Sequence, residues 1–225
     1  MSVHAVVSMV FSGLLAATLF AGDASTYRAF KIGMDVPAVT RITHTDPSQA
    51  KTVDRRPALI QQIEWHPDLF GGSPRDEAAK DVLFSFYNGV LYQIVVNYDR
   101  YKTEGMNPED LIEAVSATYG PATLPVAANT PSPDAYASDR SETIKRWGDA
   151  ECTVSLVRSG YGPSFGLIIV SNRLEPLARA ATVEAARLDL QEAPQREIER
   201  RLEQAGDERA AQEKARRENK PRFRP

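Results

Sequence analysis

Cysteine is almost missing from this chain of 225 residues, where Cys152 stands alone. An intramolecular disulfide is therefore excluded, and a lone thiol in an exported chain is usually buried and inert. Histidine is scarce as well, with three residues, and tryptophan has two. So few histidines leave little material for a catalytic base or a metal set. Long apolar runs are absent apart from one at the start, so no other stretch is suited to cross a bilayer. Nor is one sign of charge in large excess: a formal balance of −3 disfavours a bulk nucleic-acid binder. Aliphatic and aromatic content is ordinary, which excludes disorder throughout.

The one apolar run lies in MSVHAVVSMVFSGLLAATLFAGDAS, where Ala5 to Ala21 carries no charge. It reads as a secretory signal over residues 1–24, with Gly22 and Ala24 at signal-peptidase spacing and cleavage after Ala21 as the alternative. The segment before the run has His4 but no Lys or Arg, and an uncleaved anchor is the other reading. Export, to the periplasm or the medium, is the expected destination.

What is present is a motif that occurs twice. Gly33-Met34-Asp35 and Gly105-Met106-Asn107 each precede a proline and an apolar run. In the second, Asn107 is placed as an N-cap, Pro108 takes the first helical position, and Glu109 and Asp110 complement the dipole. Leu111, Ile112, Val115 and Tyr119 fall on one face, and Gly120-Pro121 ends the helix. Met106 and Leu111 hold staple positions, as do Met34 and Val39 in the first motif, where Asp35 is the cap.

Strand signals follow both helices. Leu83 to Phe86 and Leu91 to Tyr98 flank Asn88-Gly89, a hairpin turn pair. The second half offers ETIKRWGD, AECTVSLVRS and SFGLIIVSNRL, and Trp65 and Trp147 hold comparable places. In AECTVSLV, Cys152 alternates in phase with Val154 and Leu156, which places it in the core. The expected fold is α+β: two pseudo-repeats, 27–101 and 102–175, of a helix followed by three antiparallel strands. A charged helical extension, 176–225, ends in a basic tail.

These motifs, with Tyr119-Gly120-Pro121 and Phe86-Tyr87-Asn88-Gly89-Val90-Leu91, resemble the SmpA/OmlA fold. In tandem, the arrangement is similar to the secreted β-lactamase inhibitor proteins. The resemblance spans about Tyr27 to Leu174 and implies a binder of proteins or envelope surfaces rather than an enzyme. This chain departs from both: it has no cysteine to acylate after its apolar run, and no pair of cysteines to clasp the repeats. No functional residue of either family is carried over.

From Leu174 onward the chain is rich in Ala, Glu, Arg and Leu. Leu174, Leu177, Ala181, Leu188, Ile198 and Leu202 follow heptad-like spacing, interrupted by Glu184, Gln191 and Gln195. A helix is expected here, either docking a partner or lying on its own domain, with a break or kink at Pro194 and fraying after Ala205-Gly206. From Gln212 to Pro225 six basic side chains face two acids, a balance of +4 that leaves −7 on the rest. This end reads as a frayed tail, able to make weak contact with an anionic surface, and Phe223 among its arginines is a docking candidate.

Chemistry is thin. His44 with Asp46 and His66 with Asp68 are two His-x-Asp pairs that would form a metal site if folded together, or else are turns. No serine-hydrolase elbow occurs, and SGYGPSFG lacks the Lys-Ser/Thr of a phosphate loop. No cofactor is expected. YDRYK, Tyr98 to Lys102, interleaves aromatic and basic residues, as a stacking surface or a strand edge. The leading expectation is an exported, non-enzymatic protein that binds a protein partner through its sheet face and C-terminal helix. Tyr87, Tyr92, Tyr98 and Tyr101 are the candidate contacts, against ordinary strand packing for each. A small metal-dependent hydrolase and an inhibitor of a secreted enzyme, acting through the loop Gly160 to Ser164, are the alternatives.

Overall fold

In the computed structural model of the chain, residues 22–67, 78–122, 141–158, 164–222 and 224 are described. A small hairpin, β1 (Thr26–Tyr27) and β2 (Phe30–Lys31), leads into helix α1 (Val36–Thr43). Strands β3 (Lys51–Asp54), β4 (Ile60–Trp65), β5 (Ala79–Tyr87) and β6 (Val90–Tyr98) follow, and then α2 (Pro108–Tyr119). The chain continues through β7 (Glu142–Gly148), β8 (Cys152–Arg158) and β9 (Phe165–Ser171) to α3 (Glu175–Asn219). Strands β3 to β9 form one seven-stranded sheet in the order β3-β4-β5-β6-β9-β8-β7, antiparallel throughout. The α+β class expected from the sequence is what forms, with a strand, β3, that the sequence patterning did not signal.

The local chemistry explains where the elements start and turn. Asp35 accepts from the Ala38 amide at 2.8 Å and caps α1. Asn107 and Asp110 make a reciprocal capping box at α2, each side chain accepting from the other's amide at 2.9 Å. Asn88 and Gly89, with φ of 49° and 80°, form the tight turn between β5 and β6, and the Asn88 side chain accepts from the Leu59 amide at 2.9 Å. The two Gly-Met motifs are used differently. Gly33 donates to the Leu91 carbonyl at 2.8 Å and Met34 accepts from Leu91 at 2.7 Å, which ties the start of α1 to β6. Met34 packs against the core, whereas Met106 is 36 % exposed at the rim.

One face of the sheet is closed by α1, α2 and the β1–β2 hairpin. Its core joins Val82, Phe84 and Phe86 of β5 to Ile94 and Val96 of β6, and to Leu167 and Ile169 of β9. Phe30 from the hairpin packs on Phe84 and Trp65, with ring centroids 4.5 and 5.5 Å apart. Trp147 is fully buried and donates to the Ser116 hydroxyl at 3.1 Å, fixing α2 over β7. The buried Tyr119 hydroxyl donates to the Thr26 carbonyl at 2.8 Å, and burial pushes its ionisation well above the usual phenol range. Gly22 to Ala24 belong to this body. Ala24 is buried, and a Cβ on Gly22 would stand 1.9 Å from the Thr118 carbonyl oxygen. The rest of the expected signal, residues 1–21, lies outside the described residues.

The opposite face is covered only in part, by the first turns of α3. Leu174 and Ala178 pack with Ile60 and Tyr92, and Ala181 and Ala185 are also buried. Small alanines let the helix lie close to the strands. Farther along, Glu192 pairs with Arg56. Here the sequence expectation needs correction: α3 is one helix of 45 residues that runs through Pro194 and Gly206 to Asn219. A proline removes one amide from the ladder, and its usual partner, the carbonyl of Leu190, belongs to a residue whose side chain is 78 % exposed, so the missing bond costs less there than in a buried turn. Side-chain pairs along the helix add modest support, such as Arg187 with Glu184 at 2.5 Å and Arg201 with Glu197 at 2.8 Å.

Gly148 marks the tightest backbone approach in the second half. Its φ is 135°, and a Cβ there would lie 2.2 Å from the Cys152 carbonyl oxygen. Gly148→Ala is therefore expected to destabilise the fold more than Asn107→Ala, which loses a cap worth about 1 kcal/mol. Urea denaturation measures both; a Gly148→Ala variant as stable as the parent would contradict the close approach.

Candidate functional site

Beyond the reach of α3, the second face of the sheet stays open. Val95 of β6 and Ile168 of β9 are directly paired there, beside Gly166 and Val157. Gly166 keeps this surface low, because a Cβ would stand 2.9 Å from the Val96 carbonyl oxygen and 3.3 Å from a Val157 methyl. Asn97 donates to Asp81 at 2.5 Å along the rim. The result is a groove of about 580 Å³ with an aliphatic floor and a polar rim that includes Lys80, Asp99 and Arg100.

The turn after β6 forms the wall. Asp99 accepts at its side chain from the Tyr101 amide at 2.7 Å, and its carbonyl accepts from Lys102 and Thr103, both at 3.1 Å. This bonding holds Tyr101 out, 69 % exposed, with the Arg100 guanidinium 4.4 Å from its ring centroid. On the far side of Tyr101 lies a second hollow of about 510 Å³, bordered by Glu104, Met106, Pro108 and Arg158. Arg158 lies 5.6 Å from the Phe165 ring, which touches both hollows. Tyr101 and Arg100, together with the buried Phe165, therefore border both depressions.

The structure brings together only some of the residues singled out from the sequence. Tyr98 and Tyr101 line the groove. Tyr87 and Tyr92 belong to the other end of the face, and Tyr92, 5 % exposed, is covered by α3. The helix supplies there the cover that sequence reasoning assigned to a partner. Phe223, Asp68 and the loop residues 160–163 lie outside the described residues. His44 caps the end of α1 in a left-handed conformation, with φ of 55°. Asp46 caps the short 3-10 turn Pro47–Gln49, and the Ser48 hydroxyl and amide hold its carboxyl below the usual range. His66 faces Glu64 at 3.4 Å. Among the described residues no three His, Cys, Asp or Glu side chains gather as a metal set. Among the described helices, none is long and apolar enough to cross a membrane.

Sequence reasoning missed Val95, Ile168 and Phe165 as groove residues and Arg158 at the second hollow. The YDRYK run was the one signal for this place, since it contains Tyr98, Arg100 and Tyr101. The aliphatic floor had no such signal, because it arises only when β6 pairs with β9. Together these elements define an α+β protein with one closed sheet face and one half-open face. No protein family, curated protein or solved structure matches the chain.

Cys152 has no part in this surface. It is buried in the closed core, and burial, with Asp149 nearby, pushes its thiol up to about 11. The native thiol therefore stays protonated where an unfolded cysteine, near 8.5, would ionise. Its stabilising contribution is complete below that value and is lost as pH rises toward 11. Iodoacetamide at mildly alkaline pH is expected to modify the denatured chain readily and the native one very slowly. Equal rates would place the thiol at the surface.

Proposed function

We propose that this is an exported, non-enzymatic protein that binds a protein partner across the half-open face of its sheet, with α3 as an additional surface. One observation carries the reading: the paired hollows on either side of Tyr101, an exposed aromatic held rigid by its turn and stacked by Arg100. Tyr and Arg at the centre of a concave surface with an aliphatic floor are the residue types that dominate protein interfaces. A dispersed polar rim around an open groove suits recognition better than turnover, which needs convergent acid, base or metal groups.

Two further features belong to the same proposal. The strand order reads β4-β5-β6 and then β9-β8-β7, each trio preceded by a helix. This mirrored order supports descent from two units, 27–101 and 102–175, of the SmpA/OmlA kind. Export rests on the apolar run before Gly22. Because Gly22 and Ala24 pack into the body, cleavage after Ala21 suits the fold better than cleavage after Ala24.

Two measurements test these statements. Mass spectrometry of the mature protein from an exporting host is expected to find Gly22 as the first residue; Ser25 would contradict the packing argument. A photo-crosslinking residue at position 101, in the native envelope, is expected to trap one discrete protein partner that a residue at position 92 does not. Tyr101→Ala with Arg158→Glu should then lower partner affinity by roughly tenfold or more. An adduct at 92 but none at 101 would remove the groove from the proposal.

A further inference from the structure

The far end of α3 carries a charge arrangement unlike the rest of the helix. Its five arginines from Arg179 to Arg201 each pair with an acid of the same helix, Arg196 with Asp189 at 3.1 Å among them. From Arg209 onward that balance ends. Arg217 keeps one partner, Glu213 at 3.7 Å, whereas Arg209, Lys214, Arg216, Lys220 and Arg222 have no acid partner among the described residues. All five are exposed. The Lys220 amide donates to the Arg216 carbonyl at 2.9 Å and the Arg222 amide to that of Asn219 at 3.0 Å, so the backbone stays wound past the last helical residue. This winding gathers Arg216, Lys220 and Arg222 with Asn219 around a shallow hollow of about 470 Å³. Cations in a last turn complement the helix dipole, but Arg222 lies beyond that turn, and Arg209 and Lys214 precede it.

We infer that this tip docks end-on to an anionic bilayer, its cations meeting the phosphates of lipid headgroups. Reach is the first reason. From Ala185, the last buried residue, to Arg216 is about 45 Å of helix. That is several times the ~8–10 Å screening length, so the domain stands clear of a surface that would repel its acidic balance. Of the remainder that carries −7, Glu208 is the acid nearest the tip, and it lies about 12 Å back along the axis from Arg216. The spread of charge is the second reason, since Lys214 lies roughly 120–160° around the axis from Arg216 and Lys220. A nucleic-acid duplex receives one helix face laid along a groove, whereas a plane met by the tip takes cations from every side. The third is a lack: Arg209 to Arg222 has no aromatic side chain to stack on a base. A basic cluster of this size on a helix is drawn to anionic lipid by charge, in a weak and reversible contact. The groove beside Tyr101 has no part in it, and neither surface depends on the other.

Vesicle sedimentation of the mature chain starting at Gly22 tests the contact. At low salt the protein is expected to sediment with vesicles of equimolar phosphatidylglycerol and phosphatidylcholine, and not with phosphatidylcholine alone. Added salt should release it as the charges are screened. Arg216→Glu with Lys220→Glu should weaken the partition by at least about tenfold. Lys51→Glu with Arg55→Glu makes the same change of net charge at the exposed β3 edge and should alter the partition little. Circular dichroism checks that each variant keeps its helix. Equal sedimentation with neutral vesicles, a tip variant that binds like the parent, or an equal loss in the β3 variant would overturn the role of the tip. No sedimentation with the anionic vesicles, or binding to duplex DNA in their place, would overturn the bilayer as its occupant. None of these results bears on the Tyr101 crosslink, which tests the groove separately.

Discussion

The pairing of β6 with β9 is the constraint on which the rest of the structure depends. Gln93 to Asn97 lie against Val170 to Gly166, and this single seam joins the strands of the first half to those of the second. On one side of the sheet it merges two modest clusters into one core, in which Ile94 meets Ile169 and Val96 meets Leu167. Either half alone would present a small sheet under one short helix, too little area to stabilise a domain comfortably. On the other side the same seam sets Val95 beside Ile168 and so lays the floor of the groove. The sheet ends at β3 and β7, which carry Lys51, Asp54, Glu142, Lys145 and Arg146. Charged edge strands of this kind discourage further pairing.

The long helix divides the second face into two environments. Over Ile60 and Tyr92 its alanines bring it near enough to exclude water, and that part of the face becomes interior. Past Ala185 no residue of α3 is buried, and the strands it leaves behind remain open. The helix persists in solvent because Ala, Glu and Arg are strong helix formers and because acid–base pairs recur along it, Arg200 with Glu197 at 2.6 Å among them. Each pair contributes little by itself. Their number over many turns outweighs one missing amide at Pro194 and one flexible residue at Gly206.

Much of the local structure was legible in the residues. The caps at Asp35 and Asn107, the Asn88-Gly89 turn, the α2 face of Leu111, Val115 and Tyr119, and the core position of Cys152 all follow from short-range rules of hydrogen bonding and periodicity. The candidate site was legible only in YDRYK, whose exposed tyrosine beside an arginine hinted at a contact surface. The Gly-Met motif shows the boundary between the two kinds of information. Both copies allow a positive φ at glycine, 96° and 81°, yet Met34 is packed and Met106 is at the rim. Identical local chemistry met different surroundings.

By itself, then, the sequence determined where helices begin, where the chain turns back, and which side chains alternate toward an interior, because these depend on neighbours within a few residues. Which strands from distant parts of the chain would meet, which tyrosines α3 would cover, and where a groove would remain were decided only by the tertiary structure. Those outcomes come from competition among many possible burials of apolar area, and burial is non-directional. A valine at position 95 carries no sign of whether a helix, another strand or solvent will face it. Position and partner are properties of the assembled sheet.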